Sequence, residues 1–281
     1  MEKKDYLYTT QDGHELGITK YSKGVFGKQP CLVYVHGFKA FKNWGFVPYM
    51  AEFFAQKGID VITFNFSHNG VKGHEAVFGA PELFAQNTFS REIKETREII
   101  NLCRNTQFFG TFLSKPLGLL GHSRGGGIAV LAVSAIPDVQ AVCTWNAIST
   151  LDRYEKDTKE KWKRQGHLEV VNSRTKEVFQ MNVGLLEDLE KNMRKGLNIL
   201  DHVRELNRPL LILHSQNDET VPMYEAEQLN IFGDPALTTL RLIPDTGHTF
   251  GAVHPFDAST EALDLTLSYS LEFFAHHLRL G

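Results

Sequence analysis

The stretch that decides the fold is PLGLLGHSRGGGIAV, residues 116–130. Leu117, Leu119 and Leu120 form a short apolar run, which predicts a buried strand. The glycine-rich segment 121–127 predicts a tight turn, and the apolar residues after it predict a helix. The sequence therefore indicates a strand, a sharp turn and a helix in direct succession.

The turn contains the pentapeptide Gly121-His122-Ser123-Arg124-Gly125, which matches the pattern G-x-S-x-G. In this pattern the serine lies on a strained strand-to-helix turn, and the flanking glycines let the strand and the helix pass close together. The hydroxyl is then exposed beside the N-terminal N–H groups of the helix, which favour an anion. An ordinary glycine-rich loop fits the isolated pattern equally well, so the rest of the chain has to decide.

Length and composition restrict the class of protein. The chain has 281 residues, 42% hydrophobic and 22% charged, which suffices for one large α/β domain with an insertion. A formal net charge of -3 favours neither nucleic acid nor an anionic membrane as a partner. Three cysteines indicate buried, reduced thiols. Because there is no apolar leader or long apolar run, we expect a cytoplasmic protein, although a chain with its signal removed would look the same.

Apolar runs and amphipathic segments alternate along most of the chain. Residues 7–21 predict a hairpin at the edge of a sheet. Further strands are predicted at 31–35, 60–66, 139–148, 209–214 and 238–243, and helices at 46–57, 87–105 and 257–278. Strands that alternate with helices predict an α/β fold, in which a mostly parallel central sheet has helices on both faces.

The segment 149–200 interrupts this alternation. It begins with a charge-dense run at 152–164, continues with a β-hairpin around a polar turn at 172–176, and ends with a helix. Because it is too long for a plain connection, we expect a cap over the strand ends, with the core at 1–148 and 201–281. The alternative is a charged surface excursion, in which Trp162, Phe179 and Met181 form a small core of their own.

Two loops supply partners for the serine, whose hydroxyl is a weak nucleophile until a base takes its proton. Asp218 follows the strand predicted at 209–214, and His248 follows the strand predicted at 238–243. Parallel sheets build their sites at such carboxyl ends, and the chain order Ser123, Asp218, His248 is the expected one. We predict that His248 takes the proton and that Asp218 holds the imidazole.

Other residues could take these roles. His254 lies six residues after His248, and Asp245 is a second carboxylate nearby, although it is too close in sequence to approach the ring from behind. No group of His, Cys, Asp and Glu has metal-ligand spacing, so we expect neither a metal nor a cofactor. The remaining candidate histidines are expected at strand ends or on the surface: His36, His214, His276 and His277.

A reaction that passes through an oxyanion also needs two fixed N–H donors. The backbone N–H of Arg124 directly follows the serine. The second donor is expected in His36-Gly37-Phe38, after the strand at 31–35, because the glycine lets the backbone turn the N–H of Phe38 inward.

Together these motifs resemble those of α/β-hydrolase fold proteins over essentially the whole chain. The motifs are YVHGF (34–38), FNFSHNG (64–70), LLGHSRGG (119–126), HSQNDETVP (214–222) and TGHTF (246–250). Within that fold the chain is most similar to the esterase and prolyl-oligopeptidase-like branch, including dienelactone-hydrolase-like and cinnamoyl-esterase-like proteins with an inserted cap. The resemblance implies a triad of Ser123, Asp218 and His248, an oxyanion hole from the N–H groups of Phe38 and Arg124, and an acyl-enzyme.

We therefore expect a carboxylesterase for small to medium acyl esters, acting as a monomer or homodimer. Apolar cap residues would line the acyl pocket, and Arg124 with the basic residues of the cap would favour a polar or anionic end of the substrate. A lipase-like HGGG motif is absent, and Arg124 stands where many relatives have Gln, Met or Leu. Substrate class thus stays open: a short-peptide peptidase, a carbon–carbon hydrolase and a catalytically silent binding protein are the alternatives.

Overall fold

The computed structural model describes residues 1–134, 136–171 and 176–280. The strands in these ranges are β1 Glu2–Thr9, β2 Glu15–Ser22, β3 Cys31–Val35, β4 Asp60–Phe64, β5 Leu117–His122, β6 Val139–Trp145, β7 His167–Val171, β8 Val178–Asn182, β9 Leu210–Ser215 and β10 Thr238–Ile243. The helices are α1 Val47–Gln56, α2 Pro81–Ala85, α3 Phe89–Asn105, α4 Arg124–Val133, α5 Lys156–Gln165, α6 Val183–Asn192, α7 Ile199–Arg204, α8 Met223–Phe232 and α9 Glu261–His277.

Eight strands form one sheet in the order β1-β2-β4-β3-β5-β6-β9-β10. All neighbours from β4 to β10 pair in parallel, whereas β2 is antiparallel to both β1 and β4. Every residue of β3, β4, β5 and β9 is buried, as expected for apolar strands covered on two faces. The predicted mostly parallel sheet is confirmed.

Helices cover both faces of the sheet, as the alternation of elements predicts. Leu32 and Tyr34 of β3 pack in one apolar cluster with α1 and α9. Val33 and Val35 pack in the other cluster, with α3, α4 and α8. Adjacent residues of a strand point to opposite faces, so a continuous apolar run serves both layers. The three cysteines lie in these layers, buried and with free thiols, as predicted.

The observed elements differ from the predicted ones where the apolar pattern is weak. β1 begins at Glu2, five residues before the predicted start, because an edge strand exposed along most of its length needs no apolar run. Helices α5 and α8 were not predicted. Trp162 is the one buried residue of α5, and α8 buries only two apolar residues, so neither helix has a clear apolar stripe. No helix in the described ranges is both long and apolar enough to cross a bilayer.

The segment 149–200 contains α5, β7, β8 and α6, with α7 beginning at its end. Strands β7 and β8 pair only with each other, and this hairpin contacts α2. Trp162, Phe179 and Met181 are buried in the same apolar cluster as α3 and α4 instead of forming a separate one. Residues 172–175 of the predicted turn lie outside the described ranges, and the division into core and cap stays a prediction.

The turn between β5 and α4 depends on two glycines. A Cβ on Gly125 would lie 2.1 Å from the carbonyl oxygen of Val35 and 2.5 Å from that of His36. A Cβ on Gly121 would lie 2.4 Å from the carbonyl oxygen of Gly125. Both contacts are with backbone, which cannot move aside, so the first turn of α4 packs directly against β3 and the loop after it.

We predict that Gly125→Ala lowers the free energy of unfolding by about 3 kcal/mol, because the new methyl group overlaps two backbone carbonyls. Gly184→Ala is the matched control, since Gly184 is also the second residue of its helix and a Cβ there meets nothing within 4 Å. Urea unfolding of both variants checks this. Equal stability of the two would contradict the argument.

Candidate active site

Ser123 lies at the turn between β5 and α4, half-buried, in a backbone conformation that is rare for a residue with a side chain. Its φ is 58° and its ψ is -125°. Its N–H donates to the carbonyl oxygen of Trp145 at 2.9 Å, and its own carbonyl accepts from the N–H of Gly126 at 3.0 Å. The predicted strained turn is therefore present, and these hydrogen bonds hold it.

The three side chains singled out by sequence meet in one hydrogen-bonded series. Nε2 of His248 lies 3.0 Å from Oγ of Ser123. On the other side of the ring, Nδ1 donates to Oδ2 of Asp218 at 2.7 Å. Asp218 and His248 lie on the loops after β9 and β10, at the same carboxyl ends of the parallel strands as the turn after β5. The arrangement gives the serine hydroxyl a base whose orientation is set by a carboxylate.

The second oxygen of Asp218 is held by its own loop. Oδ1 accepts from the backbone N–H groups of Thr220 and Val221, both at 2.9 Å. Burial acts to raise the pKa of this carboxyl, but the hydrogen bond and charge of His248 and the two N–H groups outweigh it and hold the pKa below its ordinary value. Asp218 is therefore ionised at neutral pH and available to the imidazole.

The backbone of His248 is anchored by two side chains that sequence reasoning did not assign to the site. Its carbonyl oxygen accepts from Nε2 of His122 and from Nδ2 of Asn146, each at 2.8 Å. Because the acceptor is a carbonyl, Nε2 of His122 carries the proton. Burial, together with the neighbouring His248, lowers the pKa of His122 to about 3, so this ring is neutral at neutral pH.

Asn146 connects the ends of β6 and β9 with the loop after β10 through hydrogen bonds. It is fully buried, directly follows β6 and has a φ of 46°. Besides its bond to His248, its Nδ2 donates to Oγ of Ser215 at 3.0 Å, and its Oδ1 accepts from the N–H of Ser215 at 2.7 Å. The sequence did contain one indication that Asn146 belongs to the site, because it is a polar residue at the carboxyl end of a strand predicted to be parallel. Its partners, however, lie 69 and 102 positions away.

The two residues expected to supply N–H donors lie close to the serine, and the position of their N–H groups as an oxyanion hole stays a prediction. Phe38, Arg124 and Ser123 line the same cavity. The loop after β3 passes so close that a Cβ on Gly37 would be 3.0 Å from Cβ of Ser123. Among the residues that the structure describes, the backbone N–H groups of Phe38 and Arg124 have no acceptor. Free N–H groups next to a hydroxyl can bind an oxygen that becomes negative.

The side chain of Arg124 has a different environment from the expected one. Its guanidinium lies 3.4 Å from Oε1 of Glu92, with its centre 4.0 Å from the ring centre of Phe38 and 5.1 Å from that of Phe89. Burial raises the pKa of Glu92, and the charge of Arg124 opposes that rise. Arg124 thus already has a buried carboxylate partner, which weakens the expectation that it attracts an anionic substrate.

The other candidate residues have structural contacts. His36 donates from Nδ1 to the carbonyl of Gly37 at 2.9 Å, and His214 donates from Nε2 to that of Val221 at 2.8 Å, so both bind backbone as expected. His254 accepts from the N–H of Gly45 at 2.9 Å and stacks on Trp44. His276 and His277 end α9. Within the described ranges, no three His, Cys, Asp or Glu side chains are arranged to hold a metal ion.

Ser123 opens into a cavity of about 530 Å³. Part of its wall comes from the segment 149–200, namely Tyr154, Val170 and Met181, and part from Trp44 and Ile148. Such mixed, mainly apolar walls suit a small organic molecule with one reactive polar group. Another cavity of about 620 Å³ lies beside α3 and contains none of the residues of the hydrogen-bonded series.

Comparison with known proteins decides the fold. The chain matches the structure of Est1E from Butyrivibrio proteoclasticus with a TM-score of 0.71 at 16% identity, over 98% of this chain and 99% of that one. It matches the alpha/beta hydrolase GrgF from Penicillium sp. sh18 with a TM-score of 0.73 at 16% identity, over 99% of this chain and 100% of that one. The chain has the α/β-hydrolase fold.

At the level of sequence the likeness is more distant. No protein-family model matches the chain. A curated protein, 2,6-dihydropseudooxynicotine hydrolase from Paenarthrobacter nicotinovorans, is 22% identical over 217 residues, which cover 73% of this chain. The matched region spans about half of that relative, 51% of its length. In this α/β-hydrolase fold, the hydrogen-bonded series lies at the carboxyl ends of β5, β9 and β10.

We predict that His122→Gln makes stability less dependent on pH. The folded pKa of His122 is about 3, below its ordinary value of 6.5, so the unfolded chain binds a proton that the folded chain excludes. Stability of the wild type therefore falls as pH drops below about 6.5, by up to about 1.4 kcal/mol per pH unit from this residue. Glutamine can still donate to the carbonyl of His248 but does not titrate.

Denaturant unfolding between pH 8 and 4.5 measures the difference. The two stability curves should run parallel at the alkaline end and separate below about pH 6.5, with the wild type losing more. The titratable groups that face His122, namely His248, Asp218 and His214, are present in both proteins. Curves that stay parallel down to the acid end would mean that His122 accepts a proton freely in the folded protein.

Proposed function

We propose that this protein is a serine hydrolase that cleaves carboxylic esters of small to medium acyl groups. The observation that carries the proposal is the series from Oγ of Ser123 through His248 to Asp218, with spacings of 3.0 Å and 2.7 Å. Ser123 and His248 line the cavity. The curated relative is named a hydrolase, and Est1E, which shares the fold, has a structure with ferulic acid bound. Both support a hydrolase that accepts a small organic acyl compound.

In the first half of the proposed reaction, Oγ of Ser123 attacks the ester carbonyl while Nε2 of His248 takes the hydroxyl proton. The carbonyl oxygen becomes an oxyanion. The N–H groups of Phe38 and Arg124 donate to it, and the N-terminus of α4 adds a favourable dipole. The half-buried position of Ser123 beside these donors suits an acyl carbon that enters from the cavity.

The tetrahedral species then collapses to an acyl-enzyme. Nε2 of His248 returns the proton to the departing alcohol oxygen, and the carbon–oxygen bond of the ester breaks. In the second half, a water molecule gives a proton to His248 and attacks the acyl carbon. Ser123 leaves with that proton, so the products are one acid, one alcohol and the regenerated enzyme.

Asp218 supports both halves by stabilising the imidazolium. Its carboxylate faces Nδ1 and stays ionised at neutral pH, because its folded pKa is low. His122 and Asn146 donate hydrogen bonds to the carbonyl oxygen of His248 and so fix the position of its imidazole relative to Ser123. A base whose backbone and ring are both held by hydrogen bonds keeps the same orientation from one step to the next.

We predict that Ser123→Ala lowers kcat for p-nitrophenyl butyrate at least about 10⁴-fold, because no other hydroxyl lies beside Nε2 of His248 in the described residues. Ser268→Ala is the control, since Ser268 is exposed on α9. Steady-state hydrolysis and labelling with a fluorophosphonate probe measure the effect. The wild type and Ser268→Ala should be labelled and Ser123→Ala should not. Equal hydrolysis by Ser123→Ala and the wild type would refute the proposal.

A further inference from the structure

Three cationic side chains line the cavity above Ser123: Lys39, Arg124 and Arg153. Among the described residues that line it, none is an aspartate or a glutamate. A low-dielectric cleft with charges of one sign concentrates the opposite charge. Each of the three positive charges is either paired with a carboxylate of the protein or available to a negative charge on the substrate.

Two of the three cations have buried carboxylate partners. Arg124 pairs with Glu92 at 3.4 Å. Arg153 pairs with Glu225, and its other terminal nitrogen donates to the carbonyl of Thr220 at 2.8 Å. Both glutamates are almost completely buried. These two charges are therefore matched within the protein and need nothing from a substrate.

Lys39 is different. Its Nζ donates to the carbonyl oxygen of Val171, at the end of β7, at 3.0 Å, and lies 5.5 Å from the ring centre of Phe38. Within the described ranges it has no carboxylate partner. An ammonium has three N–H donors, of which this contact uses one. Burial, and then the charge of Arg124, lower the pKa of Lys39, so a nearby anion would relieve an unfavourable environment.

The position of Lys39 links this unmatched charge to the reaction. It directly follows Phe38 in the loop after β3, lines the same cavity as Ser123, and its Nζ binds the end of β7. An anion bound there would contact the loop after β3 while the rest of the molecule points toward Ser123. We propose that the ester hydrolysed in this cavity carries a carboxylate, which pairs with the ammonium of Lys39. This inference rests on the proposed esterase function.

Matched substrates test the inference on both sides of the ester bond. On the acyl side, mono-p-nitrophenyl adipate is compared with p-nitrophenyl hexanoate, which has the same number of acyl carbons. On the alcohol side, the hexanoyl ester of p-hydroxybenzoate is compared with that of methyl p-hydroxybenzoate. The quantity measured is the ratio of kcat/KM for the carboxylate ester to that for its neutral partner. We expect a ratio above one for the wild type in at least one of the two pairs.

We predict that Lys39→Met lowers this ratio about tenfold, since a hydrogen-bonded charge pair is lost while the length of the side chain is kept. Lys39→Arg should retain most of the ratio. Lys57→Met is the control, because Lys57 is exposed after α1, and its ratio should equal that of the wild type. A wild-type ratio of one or less in both pairs, or a ratio that survives in Lys39→Met, would overturn the inference.

Binding separates a failure of this inference from a failure of the proposed function. Calorimetry with adipate alone needs no hydrolysis, and we expect wild-type affinity to exceed that of Lys39→Met about tenfold. If no ester is cleaved by any variant, the proposed function fails, and the adipate measurement still decides the role of Lys39. If neutral esters are cleaved but adipate binds equally to both proteins, only the assignment to Lys39 fails.

Discussion

The close backbone approach between α4 and the end of β3 is the constraint on which the site depends. Gly125 is so near the carbonyls of Val35 and His36 that no side chain fits between them. Ser123, with its positive φ of 58°, lies in the turn that leads into this contact, and the loop that carries Phe38 passes next to it. Strain at Ser123 is thus compensated by the backbone packing around it, and the same packing positions both the serine and the loop of Phe38.

The order of the strands in the sheet brings the loops of Asp218 and His248 to the serine. Strand β6 lies between β5 and β9, so Asn146 at its end stands between the serine and the loop of Asp218. From there it binds Ser215 at the end of β9 and the carbonyl of His248 after β10. The side-chain amide of Asn146 therefore holds the ends of β6 and β9 and the loop after β10 in fixed positions relative to one another. This is why the imidazole meets both of its partners at hydrogen-bonding distance.

The sequence predicted the features whose signals are local. G-x-S-x-G specifies a turn, and Asp218 and His248 each follow an apolar run, so their positions on loops at the carboxyl ends of strands could be deduced. The three side chains do meet. The contacts of Asn146 and His122 with the carbonyl of His248 were not predictable, since no sequence motif marks either side chain as a partner of that loop. The ion pair of Arg124 was missed for the same reason. Its partner Glu92 belongs to the polar pattern of an amphipathic helix, where a glutamate is usually solvated.

The ion pair between Arg153 and Glu225 has a consequence for how molecules enter. Arg153 belongs to the segment 149–200, whereas Glu225 lies in the first turn of α8, just after the loop of Asp218. If this segment moved outward, the pair would break and the buried carboxylate of Glu225 would lose its cation, at a penalty of about 3 to 5 kcal/mol. The part of the cavity wall that Arg153 forms is consequently held in place by this pair. A molecule that binds beside Ser123 then has to fit the cavity as it stands, because widening the cavity at Arg153 would break the pair.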